Sequence, residues 1–97
     1  MTAYVIAEVH VTDPEAYREY AALTPGTVSS HGGRFIVRGG QTESLEGVVP
    51  KRIVIIEFQS IEAAQRWYGS AEYASARLIR ERAAVSRLFV VEGTPAV

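Results

Sequence analysis

Cysteine is absent from this 97-residue sequence, which excludes disulfides, thiolate metal centres and a cysteine nucleophile and leaves the redox compartment unreadable. An excess of one charge is missing too: 10 Lys and Arg stand against 11 Asp and Glu, a formal net charge of −1. A nucleic-acid surface needs a basic field to displace counterions, so no nucleic-acid partner is expected. Long apolar runs are lacking. The opening MTAYVIAEVHVTD breaks at Glu8 and His10 and carries neither a basic segment nor a small-residue cleavage site, so no signal peptide, no membrane span and a cytoplasmic location are expected. His10 and His31 have no His-x-x-x-His spacing, and Gly-x-Ser-x-Gly and phosphate-loop patterns do not occur. Hence no metal, no cofactor, no serine hydrolase and no nucleotide-binding fold are expected.

What is present fits one domain over 1–97. The stretch YVIAEVHV at 4–11 is short and β-branched, and it ends at Asp13-Pro14, which predicts a strand feeding a helix with Asp13 as N-cap and Pro14 in the first turn. Ala16, Tyr17, Tyr20 and Leu23 fall on one helical stripe. Thr24-Pro25 repeats the cap-plus-proline signal and predicts a second short helix running to His31, ended by a left-handed Gly32. RFIVRG and RIVIIEF read as two strands around a polar loop containing Gly47 and Pro50. Ser60 caps IEAAQRWY, Gly69 interrupts, and Ser70 starts SAEYASARLIRERAAV, whose Ala74, Leu78 and Val85 form an apolar stripe. RLFVVEG is the last strand.

The order βαββαβ points to an α+β, ferredoxin-like domain with its helices on one sheet face. A period of two assigns Val5, Ala7, Val9, Phe35, Val37, Val54, Ile56, Leu88 and Val90 to the helix side. The other side then carries Tyr4, Ile6, Glu8, His10, Arg34, Ile36, Arg38, Ile53, Ile55, Glu57, Arg87, Phe89 and Val91. An apolar face of that extent needs a cover, and a homodimer closing sheet on sheet is the simplest one.

The chain resembles a bacterial family known as domain of unknown function 1330. The residues that carry the resemblance are Asp13-Pro14-Glu15 with Tyr17, His31-Gly32-Gly33, Arg38-Gly39, Leu45-Glu46-Gly47, Ile56-Glu57-Phe58, Trp67-Tyr68, Ser70 with Glu72-Tyr73, and Arg87. The resemblance implies the dimeric α/β barrel, with sheet order 4-1-3-2 and two sheets meeting across a two-fold axis. It implies no reaction. Related families on that fold include cofactor-independent monooxygenases, lactone isomerases and haem-degrading enzymes, and fold analogy does not transfer their chemistry.

On that strand order Arg34 is expected opposite Glu57 and Glu8 opposite Arg87. With the first and third strands taken as parallel neighbours, Glu8 and Glu57 would share one end of the sheet, with His10 one step along and His31 entering from the turn. The candidate site is therefore Glu57, His31, Glu8 and His10 as proton-moving groups, with Arg34, Arg87, Tyr17 and Trp67 as binding groups for a small anionic or aromatic compound. The same charges also fit a lattice of cross-strand ion pairs inside a dimer. Tyr17, Tyr20, Trp67, Tyr68 and Tyr73 could line a pocket between helices and sheet or anchor the core. Arg66, Arg77, Arg80 and Arg82 read as a solvated helix face, and Arg38 as support for the hairpin. A small-molecule enzyme without cofactor, a non-catalytic metabolite-binding domain and a purely structural homodimer all remain open.

Overall fold

The computed structural model describes residues 1–95. Its elements run β1 (Ala3–Val11), α1 (Pro14–Ser29), β2 (Arg34–Arg38), β3 (Arg52–Phe58), α2 (Ile61–Tyr68), α3 (Ala71–Ala83) and β4 (Ala84–Glu92). The strands form one antiparallel sheet in the order β2-β3-β1-β4, as the ferredoxin-like pattern predicts. Principal extents of 41 × 38 × 16 Å describe a slab whose thin dimension holds one sheet and one helical layer.

Local chemistry starts each helix. Asp13 accepts from Ala16 N–H, Ser60 from Ala63 N–H and Ser70 from Tyr73 N–H, so each cap satisfies a donor that has no partner within its helix. Gly32, at φ 73°, ends the turn after α1 as the sequence suggests.

Thr24-Pro25 does not start a new helix; α1 runs through it. A proline within a helix removes one N–H and frees the carbonyl four residues back. That carbonyl belongs to Ala21, and the Arg38 guanidinium donates to it through Nη2. Thr24 Oγ1 donates to the Tyr20 carbonyl at 2.6 Å, and Thr27 Oγ1 to the Thr24 carbonyl at 2.8 Å. The backbone defect is thus repaired by a strand residue distant in sequence.

Arg38 can do this because β2 contains a bulge. Arg34 pairs with Glu57 and Phe35 with Ile56, but Val37 then pairs with Ile55 and Arg38 with Val54. One residue, Ile36, is extra, and an extra residue exchanges the faces of everything after it. Val37 moves to the open side with Ile55. Arg38 moves to the helix side with buried Val54, contrary to the face that strict alternation gives it.

Two other expectations are corrected by packing. The stripe that α3 buries is Tyr73, Ala76, Arg80 and Ala83, whereas Ala74 is exposed and Leu78 is 64% exposed. Val85 lies in β4 opposite His10, because β1 is long enough to pair back as far as Ala84. In α1 the buried set is Tyr17, Tyr20, Thr24, Thr27 and Val28, while Leu23 faces outward.

The core lies between the layers. Val5, Ala7, Val9, Val54, Ile56 and Phe58 meet Trp67, Tyr73, Ala76 and Ala83. Trp67 and Tyr73 are both fully buried, with ring centroids 4.2 Å apart. The Trp67 indole N–H donates to Thr27 Oγ1 at 3.0 Å, which satisfies the one polar atom that burying tryptophan strands.

Candidate functional site

On the open face the two cross-strand pairs form where the sequence places them. Arg34 Nε donates to Glu57 Oε1 at 3.0 Å, and Arg87 Nη2 lies 3.0 and 2.9 Å from the two Glu8 carboxylate oxygens. They do not share an end. β1 and β3 are antiparallel: Glu57 sits opposite Tyr4, and Glu8 sits opposite Ile53. From Tyr4 to Glu8 is four strand residues, roughly 13 Å. The reason is topological. A helical crossover makes β2 parallel to β1, and the hairpin then turns β3 back against both.

The remaining members of the cluster separate as well. His10 is exposed beyond Glu8, opposite Val85. His31 stays at the end of α1, where Nδ1 lies 2.9 Å from the Thr27 carbonyl. A carbonyl only accepts, so Nδ1 is the donor in this contact. Ser30 Oγ beside it contacts Glu72 at 3.2 Å. The six charged candidates therefore make two surface ion pairs and two imidazoles that hydrogen-bond to neither pair. Among the described residues no group of three or more His, Asp or Glu side chains is arranged to hold a metal.

A different set of residues converges in the cleft between α1 and the sheet. Its floor is Ala7, Val9, Val54, Ile56 and Leu88, and its other walls are Tyr17, Tyr20, Thr24, Phe35, Trp67, Arg38, Arg52 and Arg80. It spans about 430 Å³ of space outside atoms, open mouth included, of which about 20 Å³ can hold the centre of a water molecule. The slot is narrow. Tyr17 and Trp67, singled out from sequence, both lie on it. Tyr73 stands behind it in the core, and Tyr68 is at the surface under Arg77, 4.8 Å away.

Three guanidinium groups in this cleft were not legible as neighbours. Arg80 is 7% exposed, not part of a solvated face. Its Nε donates to Tyr73 Oη at 3.3 Å and its Nη1 to Ser86 Oγ, while Tyr73 Oη lies 2.9 Å from Tyr20 Oη. Burial alone would lower the Arg80 pKa, but the surrounding tyrosines, Tyr73 above all, through its hydrogen bond, outweigh it and the net direction is upward, so the cation persists. Burial first, and then the adjoining Tyr73 hydroxyl, push the Tyr20 phenol well above its ordinary 10.0; the hydroxyl stays neutral and cannot serve as counter-charge. Arg52 Nε donates to Tyr17 Oη at 3.3 Å, and its guanidinium lies 5.3 Å from that ring centroid. Arg38 stacks 4.6 Å from the Phe35 centroid.

Gly39 makes room for this arrangement. A Cβ there would lie 2.0 Å from Arg52 Nη1, and the backbone is at φ +72°, where side chains other than glycine are strained. Arg38, Arg52 and Arg80 have no carboxylate within 4.0 Å among the described residues; the ion pairs there are Arg34–Glu57, Arg77–Glu81 and Arg87–Glu8. The signal that could have found Arg80 is its place three, four and seven residues from Ala83, Ala76 and Tyr73, on the phase the helix buries.

Similar folds are known. A protein of unknown function from Rhodopseudomonas palustris, RPA0582, superposes with a TM-score of 0.76 at 20% identity, over 98% of this chain and 84% of that one. SnoaB, a cofactor-independent oxygenase from Streptomyces nogalater, superposes at 0.68 with 10% identity, over 99% and 96%. An ethd family protein from Bacillus halodurans superposes at 0.56 with 12% identity, over 97% and 100%. At these identities the likeness is one of fold, a ferredoxin-like four-stranded antiparallel sheet with its helices on one face. No functionally curated sequence matches the chain significantly. The model of the domain of unknown function DUF1330 matches residues 2–94, nearly the whole chain, with its sheet, its three capped helices and its arginine-lined cleft, and the protein belongs to that family.

Proposed function

We propose that the protein binds a small organic anion in the cleft between α1 and the sheet. One observation carries the reading: Arg80 is buried as a cation with hydroxyl partners and, among the described residues, no carboxylate within 4.0 Å. A buried charge that lacks a counter-ion is costly, and a bound carboxylate would supply one. The flat rings of Tyr17, Tyr20 and Phe35 and the aliphatic floor suit a planar, largely apolar body. Benzoate should stabilise the protein against heat, by about 2.7 kcal/mol at 100 times its dissociation constant, whereas neutral benzamide should have little effect. Arg52→Met should reduce the benzoate response. Equal responses to benzoate and benzamide, or none to a range of small anions, would overturn the reading.

A second reading, turnover of the bound compound without a cofactor, is favoured by Tyr17, whose hydroxyl touches Arg52 at the cleft. That position on the cleft lining makes Tyr17 the residue to exchange a proton with a ligand. His31, Glu57, Glu8 and His10 lie outside the cleft lining, and any part of theirs would be played on the open face or at the end of α1.

That open face would be covered by a second copy. Ile36, Phe89 and Val91 are each more than 40% exposed, and Tyr4, Ile6, Ile53 and Ile55 lie among them half-buried. A contiguous patch of this kind marks an interface. Light scattering at micromolar concentration should give the mass of a dimer, and Ile6→Arg, at the centre of the face, should give a folded monomer. A monomeric wild-type protein would sink the assignment.

A further inference from the structure

We infer that the anion is two-ended: a slender dicarboxylate, or a carboxylate with a second acidic oxygen, whose apolar middle lies over Val9. This rests on the reading of the cleft as an anion site and makes it more specific. The register supplies the geometry. Val9 pairs with Arg52 on one side and Ser86 on the other. Arg80 is anchored above β4 by Ser86 and Tyr73. Arg52 leans the opposite way, against Gly39 just past β2, and Arg38 rises from β2 itself.

The cations therefore occupy opposite flanks. Arg52 and Ser86 are two strand spacings apart, roughly 10 Å, and buried Val9 separates them on that row. One carboxylate is too short to take charge-assisted bonds of about 2.8 Å from both flanks at once. A molecule acidic at both ends can, and the floor between them, Ala7, Val9 and Val54, offers it no hydrogen-bonding side chain. The slot as it stands has room for about one water molecule, so the ligand enters only as α1 shifts from the sheet, and a flat, unsaturated spacer needs the smallest such shift.

The test compares matched pairs by titration calorimetry at one fixed, near-physiological ionic strength: terephthalate with its monoanionic half-amide and with benzoate, and the shorter fumarate with crotonate. In at least one pair the dianion is expected to bind about tenfold tighter or better. Arg52→Met is expected to bring that ratio close to one while monoanion binding persists. Arg80→Met is the mirror experiment, and Arg52→Met, at a half-exposed site, serves if the buried substitution impairs folding. Dianions and monoanions binding alike would overturn the two-ended ligand and leave the anion site standing. A dianion preference that survives Arg52→Met would overturn it too, because one flank would then suffice. Failure of all five probes to bind would remove both readings.

Discussion

Arg80→Met is expected to make the protein more stable and less able to bind anions in the same stroke. Arg80 is 7% exposed, and its hydrogen-bond partners are the neutral hydroxyls of Tyr73 and Ser86. Desolvating a guanidinium without a counter-charge costs several kcal/mol, and hydroxyl acceptors return only part of it. Methionine fills a similar volume with a flexible apolar chain. Its removal of the cation leaves Tyr73 still bonded to Tyr20, so no buried hydroxyl is stranded. A net gain of about 1 kcal/mol, or roughly 4–8 °C in melting temperature, is expected for a domain of this size. Calorimetric melts with and without benzoate measure both effects. If the variant melts well below wild type, Arg80 holds the layers together and the cleft is structural.

The opposite extreme is Trp67→Ala. The indole is fully buried, stacked on Tyr73 at 4.2 Å and on Phe58 at 5.5 Å, and tied to Thr27 through its N–H. Truncation should cost about 3–5 kcal/mol, a large share of the roughly 5–15 kcal/mol that a domain has in total. A drop in melting temperature of about 15 °C or more is expected. Trp67→Phe should recover most of it, because the ring face does the packing and Thr27 still donates to Thr24. A loss below about 1 kcal/mol in denaturant unfolding would mean the surroundings collapse into the space.

Much of this fold can be read locally. Asp13, Ser60 and Ser70 announce their helices because a cap acts within three residues of itself, and the faces of β1 and β3 follow from alternation because neither is interrupted. The pairs Arg34–Glu57 and Glu8–Arg87 follow from strand order and register. The misreadings share another cause: each was decided by a partner far along the chain. Pro25 looks like a start because its own neighbourhood cannot show that Arg38 will serve the Ala21 carbonyl. Arg80 looks solvated because charge is the stronger local cue, while its burial depends on β4 and on Tyr73. Leu78 looks like core by its size, yet the stripe that faces α1 and the sheet is set by Tyr73 and the alanines. The false meeting of Glu8 and Glu57 was avoidable, since the antiparallel direction of β3 follows from the topology alone.

The bulge in β2 also bears on how such a chain can change over generations. Loss of one codon at Ile36 would remove the bulge and leave Arg38 opposite Val54, whereas straight pairing at the present length would put Arg38 opposite Ile53 and swing it to the open side of the sheet. In the straightened strand the charge lining the cleft would fall by one, the Ala21 carbonyl would lose its donor, and an unpaired cation would enter the apolar surface, with overall charge unaltered. The pairing of this strand specifies the ligand chemistry as firmly as its residues do, so relatives that lack only the extra residue at Ile36 should keep the same binding class, while changes that straighten the strand at full length should lose it.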